Sequence, residues 1–290
     1  MTDQPDVQAP SLNRRKVGDF VVTYLSDGFL DGSFSYLQGI DAHDAASMLE
    51  AAHRPPLPHI SIASFVVQGG GRTILIDSGT GGFSGWGGRF PVALAAAGVE
   101  PDSVDTILIS HGHVDHVGGL TLYGQPLFKN ADVVVNDTEL KFWRDDTIMN
   151  SVGEDAKPFF VAARTAFDAY ESRLRPVSGG EVVPGISLVP LPGHTPGHSG
   201  FHISSGKDNL LIWTDIVHMA DIQVARPEVT IGFDVDPDQA RATRMKVLDQ
   251  AASDRLLIAG MHLNMPGFMT IERRGNGYAK VDMPWTPALL

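Results

Sequence analysis

The feature that most constrains the fold is a histidine-rich segment that directly follows a short apolar run. Residues 105–110 (DTILIS) have the β-branched, apolar composition of a buried strand. Residues 111–116 (HGHVDH) then place three histidines and an aspartate within six positions. Functional polar groups commonly lie on loops just beyond buried strands. The segment therefore predicts a sheet with a metal site at one of its strand ends.

The chemistry of these side chains indicates which metals are expected. Imidazole and carboxylate together favour a borderline divalent ion, so zinc is expected first, with manganese, iron or cobalt as alternatives. The four side chains diverge around a turn closed by Gly118 and Gly119. They cannot all reach one ion, which predicts two metal ions that share the segment and draw further ligands from elsewhere.

Three later residues occupy the same kind of position, each just beyond an apolar strand. They are His194 in VPLPGHTPGHS, Asp215 in LLIWTD and His262 in LLIAGMH. Any one of them alone would be read as an ordinary polar loop residue. Together with the first segment they predict one shared metal centre.

Composition limits the classes of function. The chain has 290 residues, a formal net charge of −12 and no cysteine. Nucleic acid and anionic membranes are therefore not expected as partners, and any metal must be held by nitrogen and oxygen. The first residues contain no apolar run of signal-peptide length, so we expect a cytoplasmic protein with a flexible amino-terminal arm at 1–18 and a single domain at 19–290.

Strands and helices are predicted in blocks rather than in strict alternation, which favours an α/β fold of the α+β type, with sheets layered by helices. Strands are predicted at 19–25, 60–68, 72–77, 105–110, 131–136, 181–191, 200–205, 209–215 and 255–260. Helices are predicted at 41–52, 90–98, 137–145, 157–173 and 236–253, the last capped by Asp236 with Pro237 in its first turn.

The seven potential ligands resemble those of the metallo-β-lactamase superfamily, which combines an HxHxDH segment with a distant histidine, a bridging aspartate and a final histidine. The resemblance implies an αββα sandwich of two mixed β-sheets flanked by helices. It also implies that Asp77, which ends ILIDSG, supports the centre from behind. Its implied ligands are His111, His113 and His194 for one metal, Asp115, His116 and His262 for the other, and Asp215 with a hydroxide as bridges.

Within the superfamily the chain is most similar to the methyl parathion hydrolase group, through DHVGG, ADVVVNDTELKFW, GHTPGHS, DIVHMADIQV and RPEVTIGFDVD. This implies a hydrolase of lactones, aryl esters or organophosphate triesters, and a homodimer. Asp115 and Asp215 are the expected catalytic carboxylates. The loop at 79–90 (GTGGFSGWGGRF) departs from the group, so the substrate stays open.

Aromatic residues are candidates for the substrate pocket, with core packing as the alternative for each. They are Trp143, Phe160, Phe83 and Trp86, of which the resemblance favours Trp143. His218, three residues after Asp215, is expected to support the centre, with a buried and hydrogen-bonded histidine as the alternative.

The expected reaction is attack by the bridging hydroxide on a carbonyl or phosphoryl group. Two alternatives come from other classes of function. An iron-dependent oxidoreductase of the same fold, linked to oxygen or persulfides, is disfavoured by the intact HxHxDH segment and the absence of cysteine. A binding protein without catalysis is disfavoured because no ligand position is lost.

Overall fold

A computed structural model describes residues 8–55 and 58–289. The strands of its first half are β1 (Leu12–Val17), β2 (Phe20–Asp31), β3 (Leu37–Gln38), β4 (His59–Gly69), β5 (Arg72–Ile76), β6 (Thr106–Ile109), β7 (Thr121–Leu122), β8 (Gln125–Pro126), β9 (Asp132–Asn136) and β10 (Leu174–Val177). Those of its second half are β11 (Gly180–Val183), β12 (Ile186–Pro190), β13 (Ser199–Ser205), β14 (Asp208–Ile212), β15 (Thr230–Ile231), β16 (Leu257–Ala259), β17 (Phe268–Arg274) and β18 (Gly277–Asp282).

Eight α-helices are present in the described residues. They are α1 (Ala42–Ala51), α2 (Phe90–Ala96), α3 (Val114–Val117), α4 (Asp137–Arg144), α5 (Asp146–Ser151), α6 (Lys157–Ala169), α7 (Ala220–Gln223) and α8 (Pro237–Asp254). Short 3-10 turns occupy Phe34–Tyr36, Phe83–Gly85, Pro101–Ser103, Gly118–Leu120, Glu171–Arg173 and Thr214–Ile216. Across residues 8–55 and 58–289, no helix combines the length and the apolar character that crossing a bilayer demands.

Two seven-stranded mixed sheets form the centre of the fold. The first has the order β1-β2-β4-β5-β6-β9-β10 and the second the order β11-β12-β13-β14-β16-β17-β18. Strands β5, β6, β9 and β10 run parallel, as do β14 and β16, and the other pairings are antiparallel. This confirms the predicted pair of mixed sheets.

The layers are held together by three apolar regions. Between the sheets, Phe65 and Leu108 of the first sheet share a buried cluster with Phe201 and Ile212 of the second. Helices α2 and α6 cover the outer face of the first sheet, and α8 covers the outer face of the second. The resulting order of layers is helix, sheet, sheet, helix, as predicted.

Local sequence signals explain several of these elements. Strands β4 and β5 are joined by Gly70 and Gly71, both at positive φ, as a tight two-residue hairpin requires. The Asp236 side chain accepts a hydrogen bond from the Gln239 N–H (2.9 Å), and Pro237 begins α8. Both predictions from the sequence are confirmed.

The predicted boundary of the amino-terminal arm is wrong. Residues Leu12–Val17, inside the segment 1–18, form β1 and pair with β2 in antiparallel register. The three cations in LNRRKV hide the alternation of apolar and polar residues that normally indicates a strand. Asn13 and Val17 are nevertheless buried in this edge strand. Residues 1–7 lie outside the described residues, and the remaining division into domains stays a prediction.

The parallel strands decide where functional side chains meet. The carboxyl ends of β5, β6 and β9 lie at one edge of the first sheet, and those of β14 and β16 lie together in the second. Asp77 and His111 follow β5 and β6, while Asp215 and His262 follow β14 and β16. The two sheets thus bring residues distant in sequence to one place.

Candidate metal centre

Three histidines meet at one side of this place. His111 Nε2 lies 2.9 Å from His113 Nδ1, which lies 2.9 Å from His194 Nε2. His111 lies two residues after the end of β6, and His113 precedes α3 as its N-cap residue. The sequence predicted a turn where α3 forms; the one-turn helix instead rotates His113 and His116 to different sides. We call this group the first metal position.

A second group lies beside the first. Asp115 Oδ2 lies 3.4 Å from His116 Nε2 and 3.6 Å from His262 Nε2. His116 is fully buried, while 13% of the Asp115 side chain is exposed. These three residues form the second metal position.

Asp215 lies between the two positions. Five imidazole nitrogens surround its Oδ2 atom: those of His262 (2.9 Å), His116 (3.3 Å), His218 (3.3 Å), His194 (3.4 Å) and His111 (3.6 Å). One carboxylate oxygen therefore faces both groups, as a bridging ligand must. The structure thus brings all seven predicted ligands together.

The donor set fits divalent metal ions. In each of the two groups the ligand atoms lie within 4.8 Å of one another. Asp215 Oδ1 and His116 Nε2 are buried without a hydrogen-bond partner, a costly state that cations at these positions would relieve. Imidazole and carboxylate without thiolate are the ligands that zinc and its neighbours accept.

The protonation of the first metal position also suits a metal. Burial lowers the pKa of His111 and of His113 well below the ordinary value, which leaves both rings neutral and able to donate a lone pair. Burial alone would raise the pKa of Asp215, but the charges of His116 and His262 hold it well below the usual range. The bridging carboxylate is therefore ionised at neutral pH. At the second position burial is outweighed by the charge of Asp215, which raises the pKa of His116 and of His262, so these two rings must lose a proton when a cation binds.

Asp77 supports the second position from behind. Its Oδ2 lies 2.7 Å from His116 Nδ1, and its Oδ1 accepts a hydrogen bond from the Ser110 N–H (2.8 Å). The Ser110 hydroxyl donates to Asp77 Oδ2 (2.7 Å) and lies 3.0 Å from His111 Nδ1. A partner on the rear nitrogen sets the tautomer and direction of a ligating imidazole. Asp77 thus lies where the sequence predicted a supporting residue.

Two other ligands have rear partners that the sequence analysis missed. Asp234 Oδ1 lies 2.9 Å from His194 Nδ1, and its Oδ2 lies 3.7 Å from the buried Arg244 guanidinium. His262 Nδ1 lies 2.7 Å from the carbonyl oxygen of Ser61. Neither partner belongs to a local motif with its histidine, so no spacing in the sequence indicates them.

His218 lies at the centre rather than elsewhere in the core. Its ring stacks on that of His262 (centroids 4.8 Å apart, planes at 19°), and its Nδ1 is buried without a partner. Burial lowers its pKa to about 4, so the ring is neutral at pH 7. The alternative for His218 was a buried histidine with its hydrogen bonds satisfied. The ring is buried, but one of its two nitrogens has no hydrogen-bond partner.

The centre forms the floor of a cavity of about 590 Å³. His113, Asp115, His194, Asp215 and His262 contribute the polar end. Apolar side chains supply most of the walls, namely Leu30, Ile60, Trp86, Val114, Phe142, Trp143, Ile148, Val152, Phe159, Phe160, Phe233 and Val235. The volume lies within the range of about 300–1,000 Å³ that holds small organic ligands.

Three of the four aromatic residues predicted for the pocket lie on this cavity. Trp143, Phe160 and Trp86 line it, whereas Phe83 does not. Phe83 lies in the 3-10 turn of the glycine-rich loop and packs behind Trp86 and Phe159, with ring centroids 5.9 Å and 5.6 Å away. The prediction for Phe83 was wrong because the tight turn directs its ring to the rear of the wall.

Comparison with known proteins agrees with this geometry. The sequence profile of the metallo-beta-lactamase superfamily matches residues 58–262, a span that contains all seven predicted ligands. An N-acyl homoserine lactonase of Bacillus cereus is 26% identical over 128 residues, which are 43% of this chain and 43% of the lactonase. One from Bacillus thuringiensis is 28% identical over 123 residues, 42% of this chain and 41% of the relative. The chain thus matches less than half the length of these curated relatives.

Solved structures match over nearly the whole chain. A hydrolase of the beta lactamase superfamily, AbOPH, superposes with a TM-score of 0.91 at 29% identity, covering 97% of this chain and 100% of that one. AidC, a dizinc quorum-quenching lactonase in complex with a product N-hexanoyl-L-homoserine, has a TM-score of 0.90 and covers 96% of this chain and 99% of its own. Its identity is 23%, so that likeness shows the fold alone.

Proposed function

Because this chain belongs to the metallo-β-lactamase superfamily, we propose that it is a metal-dependent hydrolase that opens neutral lactones carrying an apolar acyl chain. The observation that carries this proposal is the cavity, whose polar floor holds the ligand groups and whose walls are apolar. A hydrolysable carbonyl fits the floor, and an acyl chain fits the walls. The similarity to N-acyl homoserine lactonases supports the same substrate class.

Charge narrows the substrate further. Among the described residues that line the cavity there is no lysine or arginine, while Asp155 and Asp234 add negative charge. A substrate that carries a carboxylate or a phosphate monoester would find no cationic side chain to pair with in the cavity walls. Neutral lactones, esters and phosphotriesters avoid this cost. Among them the lactone is the one that the curated relatives favour.

Divalent cations at the two positions would polarise the carbonyl and lower the pKa of a bound water toward neutrality. The side chains of this chain supply the rest. Asp215 holds the two groups of ligands in register. Asp115, at the edge of the floor, is partly exposed to the cavity, and we assign to it the orientation of the attacking water and the transfer of its proton. Water adds to the carbonyl carbon, the ring C–O bond breaks, and the ring oxygen takes the proton to give a hydroxy acid.

The test is a homologous series of N-acyl homoserine lactones, from butanoyl to decanoyl, assayed with the zinc-loaded protein and a chelator control. Burying one methylene contributes about 0.8 kcal/mol, so kcat/KM should rise about fourfold per methylene until the cavity is full. Trp86→Ala should flatten this dependence, because Trp86 stacks on Phe159 in the wall. Trp285→Ala is the matched control, since Trp285 is 63% exposed and lies outside the cavity lining.

Each result has a defined meaning. If kcat/KM of the wild type does not change with the length of the acyl chain, the cavity does not bind that chain. Faster turnover of p-nitrophenyl acetate or methyl parathion would replace the lactone by an aryl ester or an organophosphate triester. A protein that holds metal and hydrolyses nothing would point to the oxidoreductase or binding alternatives.

Several finer expectations from the sequence stay predictions at this point. They are the identity of the metal as zinc, the bridging hydroxide, the organophosphate triesterase activity, the homodimer and the cytoplasmic location. Metal analysis of protein purified without added metal tests the identity of the metal. Light scattering coupled to size-exclusion chromatography tests the homodimer.

A further inference from the structure

One buried carboxylate near the centre is absent from the mechanism above. Glu139 in α4 is fully buried, and its two oxygens accept four hydrogen bonds. Oε1 accepts from the Gly112 N–H (2.9 Å) and from Trp143 Nε1–H (2.6 Å). Oε2 accepts from the Thr195 hydroxyl (2.6 Å) and from the Gly197 N–H (3.0 Å).

Three of the four donors belong to the segments that carry the ligands of the first metal position. Gly112 separates His111 from His113, and Thr195 directly follows His194. These two segments are 81 residues apart in the chain. A single side chain therefore ties together the two loops whose three imidazole nitrogens converge.

The same carboxylate also fixes a wall of the cavity. The Trp143 indole that donates to Oε1 lines the cavity and packs edge-on against the ring of His113, with centroids 5.5 Å apart. Two glycines of the ligand loops pack tightly against α4, so neither position has room for a side chain. A Cβ atom on Gly112 would lie 2.4 Å from Trp143 Nε1, and one on Gly197 would lie 2.2 Å from the Glu139 nitrogen.

Burying a carboxyl group among uncharged donors is costly, and burial raises the pKa of Glu139 above its usual value. Such a group in the core is retained where its hydrogen bonds specify one arrangement. Apolar residues of similar size would pack α4 against the sheet without that cost. The four bonds therefore indicate a role in geometry rather than in bulk stability.

We propose that Glu139 is the positioning residue of the first metal position and couples it to the substrate wall at Trp143. The inference rests on the metal centre of the proposed function and not on its substrate. It predicts that loss of the carboxylate weakens one metal position and leaves the other intact, because the partners of the second position (Asp77 and Ser61) do not involve Glu139.

Glu139→Gln tests this with little change in volume. The glutamine carbonyl can keep the bonds from Gly112 and Trp143, and its NH₂ group can donate to Thr195, whose hydroxyl can reverse its role. The Gly197 N–H then loses its acceptor, so the segment that carries His194 should loosen most. We expect the affinity for one of two Zn²⁺ ions to fall about 10–100-fold, as for other partners behind metal ligands.

The measurement is competition for Zn²⁺ with a chromogenic chelator, which reports the number of sites and the affinity of each without any substrate. Glu154→Gln is the matched control, because 88% of that side chain is exposed. Thermal unfolding of the metal-free protein reports stability separately. Thr195→Val, which removes one donor and keeps the carboxylate, replaces the glutamine variant if the latter does not fold.

Selective weakening of one site supports the proposal, with a melting temperature at most a few degrees below that of the wild type, as loss of the bond from Gly197 would cause. Two sites of wild-type affinity would overturn it. Equal loss at both sites together with a lower melting temperature would also overturn it, since this is the signature of a purely structural residue. If the wild type binds two ions and opens no lactone, the proposed substrate fails while this inference stands.

Discussion

Asp234→Asn is the substitution that most directly tests how the centre controls its ligands. In the wild type, Asp234 Oδ1 lies 2.9 Å from His194 Nδ1, while Oδ2 accepts from the Ile231 N–H (3.2 Å) and faces Arg244 at 3.7 Å. His194 must present the lone pair of Nε2 to the first metal position, so Nδ1 must carry the proton. Asp234 selects that tautomer because it can only accept.

Both oxygens of Asp234 face hydrogen-bond donors, so the NH₂ group of an asparagine at this position must face a donor in either orientation. If its oxygen faces His194, its NH₂ group faces the Ile231 N–H and the Arg244 guanidinium. If it turns round, the NH₂ group faces Nδ1 and favours the tautomer with the proton on Nε2, which cannot bind metal. Each orientation loses about 1–3 kcal/mol, so we expect Zn²⁺ affinity at one site to fall about 10–100-fold.

The assay is the Zn²⁺ competition described above, performed well below the unfolding temperature. Arg244 keeps hydrogen bonds to the carbonyl oxygens of Ile216 (2.7 Å) and Val229 (2.7 Å), which should keep the variant folded. Asp238→Asn is the control, because 88% of the Asp238 side chain is exposed. An Asp234→Asn protein with wild-type affinity at both sites would refute the tautomer argument.

Two further predictions concern stability away from the metals. Tyr170→Phe should lower the free energy of unfolding by about 1–3 kcal/mol, because the buried hydroxyl donates to the Leu120 carbonyl (2.9 Å) and accepts from the Phe128 N–H (3.0 Å); denaturant titration measures this, and Tyr123→Phe at a 95% exposed position should change nothing. Burial raises the pKa of Asp27 above its ordinary 3.8, so the folded protein holds this proton more tightly than the unfolded chain does. The resulting gain in folding stability is complete below about pH 4 and is lost as the pH rises through the raised pKa. As the pH rises above about 4, the free energy of unfolding of Asp27→Asn should therefore increase relative to that of the wild type, and a difference that stays constant with pH would contradict this.

The sequence locates the seven candidate ligands, whose convergence the structure shows, because each of them follows a recognisable strand. A strand of apolar residues ends, and a histidine or aspartate follows, as at β6, β14 and β16. The direction of the strands then brings these ends together without any further information. Helix α8 is predicted for the same reason, because its cap and its first proline are neighbours in sequence.

The strands at the sheet edges, and the strand next to one of them, are harder to predict, because part of their surface faces solvent. Strand β1 carries three cations, and β17 with β18 ends in exposed charged residues. Neither segment has the continuous apolar run that marks the central strands. Their place follows from pairing with a neighbour, as between Met269 and Asp282, which composition does not reveal.

Residues that aim the ligands are the hardest to predict, because they act over long sequence separations. Glu139 reaches the loop of Thr195 across 56 positions, and Asp234 reaches His194 across 40. An acidic residue in a helix or a loop is ordinarily a solvated one. Only the fold shows that both are buried, so no pattern in one sequence distinguishes them from surface residues.

Backbone strain at the centre requires a further set of partners, which hold the turn before the bridging aspartate. Asp77 and Thr214, which directly precedes the bridging Asp215, adopt positive φ (55° and 53°), a conformation that costs about 1–3 kcal/mol for such residues. The Thr214 hydroxyl donates to Ser199 O (3.0 Å), and the Asp215 N–H donates to His198 Nε2 (3.1 Å), so the strained turn is held from two sides. His198 is therefore an anchor of the backbone rather than a ligand. A chain with the same seven ligands but without these anchors would keep the sequence pattern, relax the turn, and hold its metals less tightly.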